Sequence, residues 1–148
     1  MPKFITRLSR GEKCSVHADG SSERDFLYVS DVAEAFDCLL HKGHTGHFYN
    51  IGANKGVTII ELAKTLVRFM KGVSADKEDD FIEFVPGRVL DDKRYKIDSS
   101  LIKALGWTQK VSFEEGLAKT IEWYTSHPGY WPNSDHALAP HPGAVSYE

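Results

Sequence analysis

Two arginines are candidate phosphate-binding residues. Each lies next to an apolar run that could hold its guanidinium in a fixed position. Arg24 precedes the letters DFLYV, and Arg88 follows FIEFVPG. A guanidinium held rigid in such a place can bind a phosphate through two parallel hydrogen bonds. The alternative for each is a surface ion pair, with Asp25 in the first case and with Asp91 or Asp92 in the second. Because most surface arginines are solvated, the residue types alone favour the ion pairs.

Asn50 and a group of histidines are the other polar candidates. Asn50 interrupts the run FYNI, so its amide either satisfies local backbone or faces a ligand, and both interpretations stay open. His41, His44 and His47 are spaced i, i+3, i+6 across two glycines, which fixes no metal geometry. We predict a solvated turn there and no metal site.

The sequence lacks the motifs of a self-contained catalytic centre. It contains no GxGxxG, GxxxxGK[ST], HExxH or GxSxG. We therefore predict no catalytic residue and no cofactor-binding residue in this chain.

Composition limits the class of protein. The 148 residues carry 18 Lys and Arg against 21 Asp and Glu, a net charge of −3, which gives no electrostatic case for nucleic acid or an anionic membrane. The hydrophobic fraction of 41% is that of one globular domain. No membrane span or signal peptide is encoded, so we expect a cytoplasmic protein whose Cys14 and Cys38 are reduced core thiols.

The elements that must position these side chains can be predicted in outline. Residues 1–8 read as the end of a helix, and 13–17 and 24–29 as strands separated by the turn 19–22. Residues 48–52 and 81–85 read as two more strands, the first of them buried, and 73–80 as a polar connection.

Helix signals follow the second predicted strand. Ser30 is the expected cap of a helix whose one buried face is formed by Val32, Phe36, Leu39 and Leu40. Thr58 and Glu61 form a capping box, with Val57 and Leu62 as the staple, for a helix that ends at Gly72.

Two further helices and a tail complete the pattern. Asp98 is expected to cap a short helix, and Ser112 with Glu115 a second capping box. Four of the six prolines lie beyond His127. We therefore predict a lobe over residues 1–126 and an extended tail over 127–148, packed on the lobe.

Five segments resemble a known family. Residues 24–35, RDFLYVSDVAEA, with 48–52, FYNIG, resemble the R-D-x-L-Y-V-x-D-V-A-x-A … Y-N-I-G pattern of extended short-chain dehydrogenase/reductases acting on nucleotide sugars. Residues 88–98, RVLDDKRYKID, resemble the R-P-x-[HN]-D-x-R-Y-x-I-D segment of the 4,6-dehydratases, and 105–107 their L-G-W. The branch most resembled is dTDP/UDP-glucose 4,6-dehydratase, including the dehydratase part of plant-type rhamnose synthase, whose end is similar to residues 137–142.

The resemblance implies an α/β fold, the small C-terminal substrate-binding lobe of a Rossmann-superfamily enzyme without its Rossmann half. In this family the other half supplies the Gly-rich NAD loop, the Tyr-x-x-x-Lys pair and the Asp-Glu acid and base. The implied reaction oxidises C4 of the sugar with NAD, removes water across C5 and C6, and returns hydride to C6. We expect NAD to bind the missing half, the chain alone to be inactive, and the longer enzyme to form a homodimer.

Carried over residue by residue, the resemblance assigns a substrate site. It makes Arg24 and Arg88 the arginines that clamp the diphosphate, and this reverses the preference for ion pairs. It makes Asn50 a substrate contact. It places Ser15, Val16 and His17 in the segment that passes the nucleobase and ribose.

The sequence departs from the family pattern at two positions of the third segment. Val89 replaces a proline, and Asp91 replaces a histidine or asparagine. A carboxylate next to a diphosphate is repelled unless it is paired. We therefore expect Asp91 to weaken substrate binding unless Lys93 or Arg94 neutralises it.

Two rival functions stay open at this stage. The same lobe serves UDP-sugar epimerases and decarboxylases, because the residues that choose among these reactions lie in the half that is absent here. The second rival is a non-catalytic fragment that binds nucleotide sugar or pairs with a full-length subunit.

Overall fold

The computed structural model describes residues 1–87, 92–94, 97–132 and 135–138. The α-helices of this part are α1 (Pro2–Ser9), α2 (Val29–Lys42), α3 (Ile59–Lys71), α4 (Ser100–Ala104) and α5 (Phe113–Ser126). The strands are β1 (Cys14–His17), β2 (Glu23–Asp25), β3 (Gly56–Thr58) and β4 (Ile82–Val85). Residues Ala75–Phe81 and Asp135–Leu138 form 3₁₀ helices. None of the described helices has the length and apolar character needed to cross a bilayer.

Strands distant in sequence form a parallel pair. β1 lies beside β4 in the register Cys14 to Ile82 and His17 to Val85. The side chains of Cys14 and Val16 are fully buried beneath it. Burial raises the pKa of the Cys14 thiol to about 12, so this cysteine is protonated and unreactive at neutral pH.

The second sheet is an antiparallel pair that leads directly into α3. β2 lies beside β3, with Arg24 opposite Val57. The predicted turn between β1 and β2 contains Gly20, whose φ is +71°. A Cβ at this position would stand 2.7 Å from the Val16 side chain and 2.9 Å from Ile60, so the turn requires glycine.

The predicted start and end of helix α3 are confirmed. The Thr58 hydroxyl accepts a hydrogen bond from the Glu61 N–H at 3.2 Å, and the Glu61 carboxylate accepts one from the Thr58 N–H at 3.0 Å. The helix ends at Gly72 in the left-handed conformation. Its inner face joins α1, β1, β4 and α5 in the main core, which includes Ile5, Leu8, Val16, Leu62, Leu66, Val67 and Leu117.

The prediction for the start of α2 is wrong. The helix begins at Val29 after Tyr28, and its N-terminus carries no side-chain cap, so Ser30 does not cap it. The side chain of Asp31, in the first turn of α2, does not cap the helix either, because it binds a distant loop. Its buried carboxylate accepts hydrogen bonds from the backbone N–H groups of Lys110 at 3.2 Å and Val111 at 3.0 Å.

The predicted buried face of α2 is only partly correct, because Leu39 packs on the core and Val32 is half-buried but Phe36 and Leu40 are not buried. Ala35 is fully buried, and Cys38 and Leu39 pack beside it on Ile102 and Trp107 in a second, smaller core cluster. Phe36 and Leu40 are exposed instead. The indole N–H of Trp107 donates to the Asp31 carbonyl at 3.0 Å, which fixes the helix on this cluster.

Other predicted elements need smaller corrections. β2 ends at Asp25 rather than at residue 29, and the connection after residue 73 contains the 3₁₀ helix. Residues 48–52 form no strand. Ser112 accepts from the Glu115 N–H at 3.1 Å, but the Glu115 carboxylate binds Lys119, so only half of the second capping box forms. Ser99 occupies the N-cap position of α4 without a side-chain cap bond, while the Asp98 carboxylate accepts a hydrogen bond from the Ser100 N–H at 2.9 Å.

The capping box of α3 gives a stability prediction. Replacing Thr58 with Ala should lower the free energy of unfolding by about 1 kcal/mol at neutral pH, as measured by urea denaturation. Hydrogen bonds from the backbone and then the side chain of Thr58 lower the pKa of Glu61. The carboxylate's contribution is therefore present at neutral pH and lost as the pH falls through the pKa of the folded state. No loss at neutral pH in a folded variant would contradict the assignment.

Asp31 gives a second stability prediction. Replacing it with Ala leaves two backbone N–H groups without their acceptor, so the free energy of unfolding should fall by roughly 2–4 kcal/mol. Asp37 on the same helix is the matched control, because its carboxylate is exposed and lies 3.5 Å from His41 Nδ1, one turn along the same helix. Its replacement with Ala should change the value by less than about 0.5 kcal/mol. Equal effects of the two variants would show that Asp31 does not hold α2 in place.

Candidate functional site

Three of the predicted site residues line one pocket. Ser15 and His17 from β1 and Arg24 from β2 lie around a cavity of about 290 Å³. Lys3 of α1 and Phe26 also line it. The cavity therefore combines a cationic edge with an apolar, aromatic wall, which suits a ligand with a charged group and a flat ring.

The geometry of His17 defines the tautomer of its ring. Nδ1 lies 2.9 Å from the carbonyl oxygen of Pro86, the residue that follows β4. A carbonyl only accepts, so Nδ1 carries the proton in this pair, and the neutral ring leaves Nε2 as a hydrogen-bond acceptor. The imidazole is thus positioned to receive an N–H or O–H from a ligand.

Arg24 is held by backbone on two sides. Its Nη1 donates to the Glu23 carbonyl at 2.7 Å and to the Asp92 carbonyl at 2.9 Å. These contacts orient the plane of the guanidinium before any ligand arrives. These two bonds do not test the alternative, a surface ion pair with Asp25, which stays a prediction.

Ser15 is tied to a charged network beneath the pocket. Its hydroxyl donates to Glu83 Oε1 at 2.6 Å, and the same oxygen accepts from Arg7 Nη2 at 2.9 Å. Arg7 also donates to the carbonyls of Lys13 at 2.6 Å and Leu138 at 3.2 Å. The Ser15 oxygen keeps a lone pair for a ligand, while the network fixes its position.

The other predicted residues lie elsewhere or outside the described residues. The side chain of Val16 is fully buried in the core and does not line this pocket. Asn50 is exposed in the extended segment that packs against α2. Arg88 and Asp91 lie outside the described residues, so their roles stay predictions.

The described flanks of that segment lie beside residues that are adjacent in sequence to His17 and Arg24. A Cβ on Gly87 would stand 3.3 Å from Ala18, which follows β1. The chain returns beside β2, where the Glu23 N–H donates to the Lys93 carbonyl at 2.7 Å. Arg94 Nε forms an ion pair with Glu23 at 2.9 Å. Of the two cations predicted to neutralise Asp91, Arg94 therefore already has a carboxylate partner.

Two residues of this site were missed at the sequence level. Lys3 was assigned only to the opening helix, and Glu83 only to a strand. The signal for Glu83 was present, because it is the one charged residue in the run FIEFV. No local pattern indicates that Ser15, 68 residues away, is its partner.

Comparison with known proteins identifies the family. The family model described as GDP-mannose 4,6 dehydratase matches residues 1–120, and the chain belongs to this family. A trifunctional UDP-glucose 4,6-dehydratase/UDP-4-keto-6-deoxy-D-glucose 3,5-epimerase/UDP-4-keto-L-rhamnose-reductase of Arabidopsis thaliana is 44% identical over 142 residues. That match covers 96% of this chain and 21% of the relative. The dTDP-D-glucose 4,6-dehydratase of Mus musculus is 41% identical, with 96% and 40% covered.

A solved structure shows the same fold. The dTDP-glucose 4,6-dehydratase of Bacillus anthracis, determined in complex with NAD, has a TM-score of 0.77 and 32% sequence identity. The match covers 92% of this chain but only 40% of the Bacillus chain. The predicted α/β class and the resemblance to the 4,6-dehydratases are thereby confirmed, and the chain spans less than half the length of these relatives.

Proposed function

We propose that this chain is the nucleotide-sugar-binding part of a 4,6-dehydratase acting on UDP- or dTDP-glucose. The observation that carries the proposal is the convergence of Arg24, His17 and Ser15 on one pocket. The names of the Arabidopsis and mouse relatives support the substrate class. Dehydration to a 4-keto-6-deoxy sugar is then the activity of the longer enzyme.

Arg24 is the proposed contact to the diphosphate. The two carbonyls that hold Nη1 restrict the rotation of the guanidinium, so less conformational entropy is lost when a phosphate binds. Lys3 adds a second positive charge to the same cavity. Arg88, in the segment whose flanks contact β1 and β2, is proposed as the second arginine of the clamp.

His17 and Ser15 are the proposed contacts to the nucleoside. With Nδ1 bonded to the Pro86 carbonyl, Nε2 can accept from the N3–H of uracil or thymine or from a ribose hydroxyl. The lone pair of Ser15 can receive a second hydroxyl. Both bases carry the same N3–H, so this contact accepts UDP and dTDP sugars alike.

NAD does not fit the described residues of this chain. A dinucleotide site requires a strand, a Gly-rich turn and a helix in succession. Here β1 is followed by the turn at Gly20 and then by β2, and the sequence contains no GxGxxG. We therefore assign the cofactor to the part of the enzyme outside the match. A cytoplasmic location and a homodimer of the longer enzyme stay predictions.

If this chain binds the substrate and the rest of the enzyme binds NAD, the 148-residue chain should have no activity alone. Incubated with NAD and UDP-glucose or dTDP-glucose, it should give no 4-keto-6-deoxy product by mass spectrometry, because it lacks the Gly-rich loop and the Tyr-x-x-x-Lys pair. The positive control is a chimera in which this chain replaces the matching part of the mouse dehydratase. Product formed by the free chain would contradict the proposal.

The arginine contact is tested in the same chimera by titration with UDP and with dTDP. Arg24→Lys should weaken binding roughly 10- to 100-fold, because a charge-assisted hydrogen bond contributes about 1.5–3 kcal/mol and an ammonium cannot reproduce the planar fork. Arg10→Lys is the matched control, since that exposed arginine, which directly follows α1, pairs with Asp135. Unchanged affinity in the Arg24 variant, or an equal loss in both variants, would refute the assignment.

A further inference from the structure

Ala18 is held in a backbone conformation that alanine rarely adopts. Its φ is +51°, and among the described residues other than glycine no second one has a positive φ. In this left-handed region the Cβ of an L-residue crowds the following carbonyl oxygen. Ala18 is exposed, so burial of its methyl group does not compensate for the strain. Strained residues persist where surrounding contacts fix them, and they cluster at ligand sites.

Hydrogen bonds on both sides of Ala18 fix this conformation. Its N–H donates to the Val85 carbonyl at 2.9 Å, which extends the pairing of β1 with β4 by one residue. The Gly20 N–H donates to the His17 carbonyl at 3.1 Å and closes a four-residue turn, in which Ala18 is the first central residue. A positive φ there, with none at Asp19, is the pattern of a type II′ turn, which favours glycine at this position.

The same turn sets the position of His17, the proposed nucleoside contact. The His17 carbonyl and the Ala18 N–H belong to one peptide plane, and both are bonded, the first to Gly20 and the second to Val85. The plane fixes the direction in which the His17 side chain leaves the backbone. In this direction the ring places Nδ1 at 2.9 Å from the Pro86 carbonyl, which leaves Nε2 as the acceptor in the pocket.

Two opposing effects of similar size act on this turn. The left-handed conformation of an alanine costs about as much free energy as one backbone hydrogen bond contributes. Rotation of Ala18 to a negative φ removes the crowding, and the bond between Gly20 and His17 opposes that rotation. The strained turn therefore competes with a relaxed one, in which the peptide plane after His17 is no longer held on both sides.

We propose that Ala18 lowers the nucleotide affinity of the pocket by limiting the fraction of molecules in which His17 is held in its binding position. The inference rests on the nucleotide site proposed above. A nucleotide binds the strained turn, so its apparent affinity is reduced by the fraction of molecules that adopt this turn. A glycine adopts the same φ without crowding and raises that fraction. Ala18 is thus a positioning residue that acts through His17.

The mouse chimera tests the proposal through a gain of affinity, which a damaged fold does not produce. Ala18→Gly should bind UDP about three- to tenfold more tightly than the unchanged chimera. Gly46→Ala is the matched control, because it makes the reverse exchange at a φ of +86° in a turn that does not line the pocket. It should lower the urea midpoint of the 148-residue chain and leave the UDP affinity unchanged.

The ring of His17 gives a second measurement that needs no nucleotide. Nitrogen chemical shifts of the imidazole report the fraction of neutral rings that carry the proton on Nδ1. In the ligand-free 148-residue chain this fraction should rise in Ala18→Gly, because more molecules hold Nδ1 against the Pro86 carbonyl. Gly46→Ala should leave it unchanged.

The two measurements separate failure of this proposal from failure of the nucleotide site. If the unchanged chimera binds UDP, an equal or weaker affinity of Ala18→Gly overturns the role of Ala18, and so does an equal gain in Gly46→Ala. If the unchanged chimera binds no UDP, the proposed nucleotide site is wrong. An Nδ1 fraction that is the same with alanine and with glycine at position 18 refutes the role of Ala18 in either case.

Discussion

The candidate site depends on the parallel pairing of β1 with β4. This pairing joins residues 68 positions apart and sets Ser15 beside Glu83 and His17 beside the residues that follow β4. Beside β2, the Asp92 carbonyl accepts a hydrogen bond from Arg24. A shift in the register of β1 and β4 would separate Ser15 from Glu83 and His17 from the Pro86 carbonyl, so the pocket would lose two of its positioned polar groups.

The contacts beneath and beside the pocket are suited to binding. Arg7, Glu83 and Ser15 form a charged network between α1, β1 and β4, and each of its members is satisfied within the protein. Because these bonds already fix the side chains, little conformational entropy is lost when a ligand binds. Neither His17 nor Ser15 has the base-and-nucleophile pairing that covalent catalysis requires, since each is bonded to a different acceptor. This supports the proposal that chemistry on the sugar belongs to another part of the enzyme.

Local signals predicted the elements well, and tertiary contacts account for the failures. The capping box at Thr58, the helix end at Gly72 and the strand before Pro86 depend on neighbours in sequence, so they could be read directly. Ser30 failed as a cap because the start of α2 is fixed instead by Asp31, whose partners lie about 80 residues away. The apolar pattern of α2 indicated burial correctly but could not show which face this chain covers and which it leaves exposed.

The candidate site was only partly predictable for the same reason. Residue types favoured surface ion pairs for the arginines, and the family resemblance was needed to link Arg24 with residues 15–17. The alternation of side chains along a strand already indicates that the Val16 side chain does not face the pocket, since Ser15 and His17 share the opposite face. Nothing local indicated that Asn50 is exposed between Tyr49 and Ile51, which pack on the second core cluster, and does not line the pocket.

We propose that nucleoside diphosphate binds in the pocket between β1 and β2, close to residues 92–94. Backbone amide chemical shifts of the mouse chimera, recorded with and without UDP, test it most directly. The account predicts that the largest shift changes fall in residues 15–24 and 92–94, with none in α5. Changes confined to other elements of this chain, or no changes in it while the chimera binds UDP, would contradict the claim.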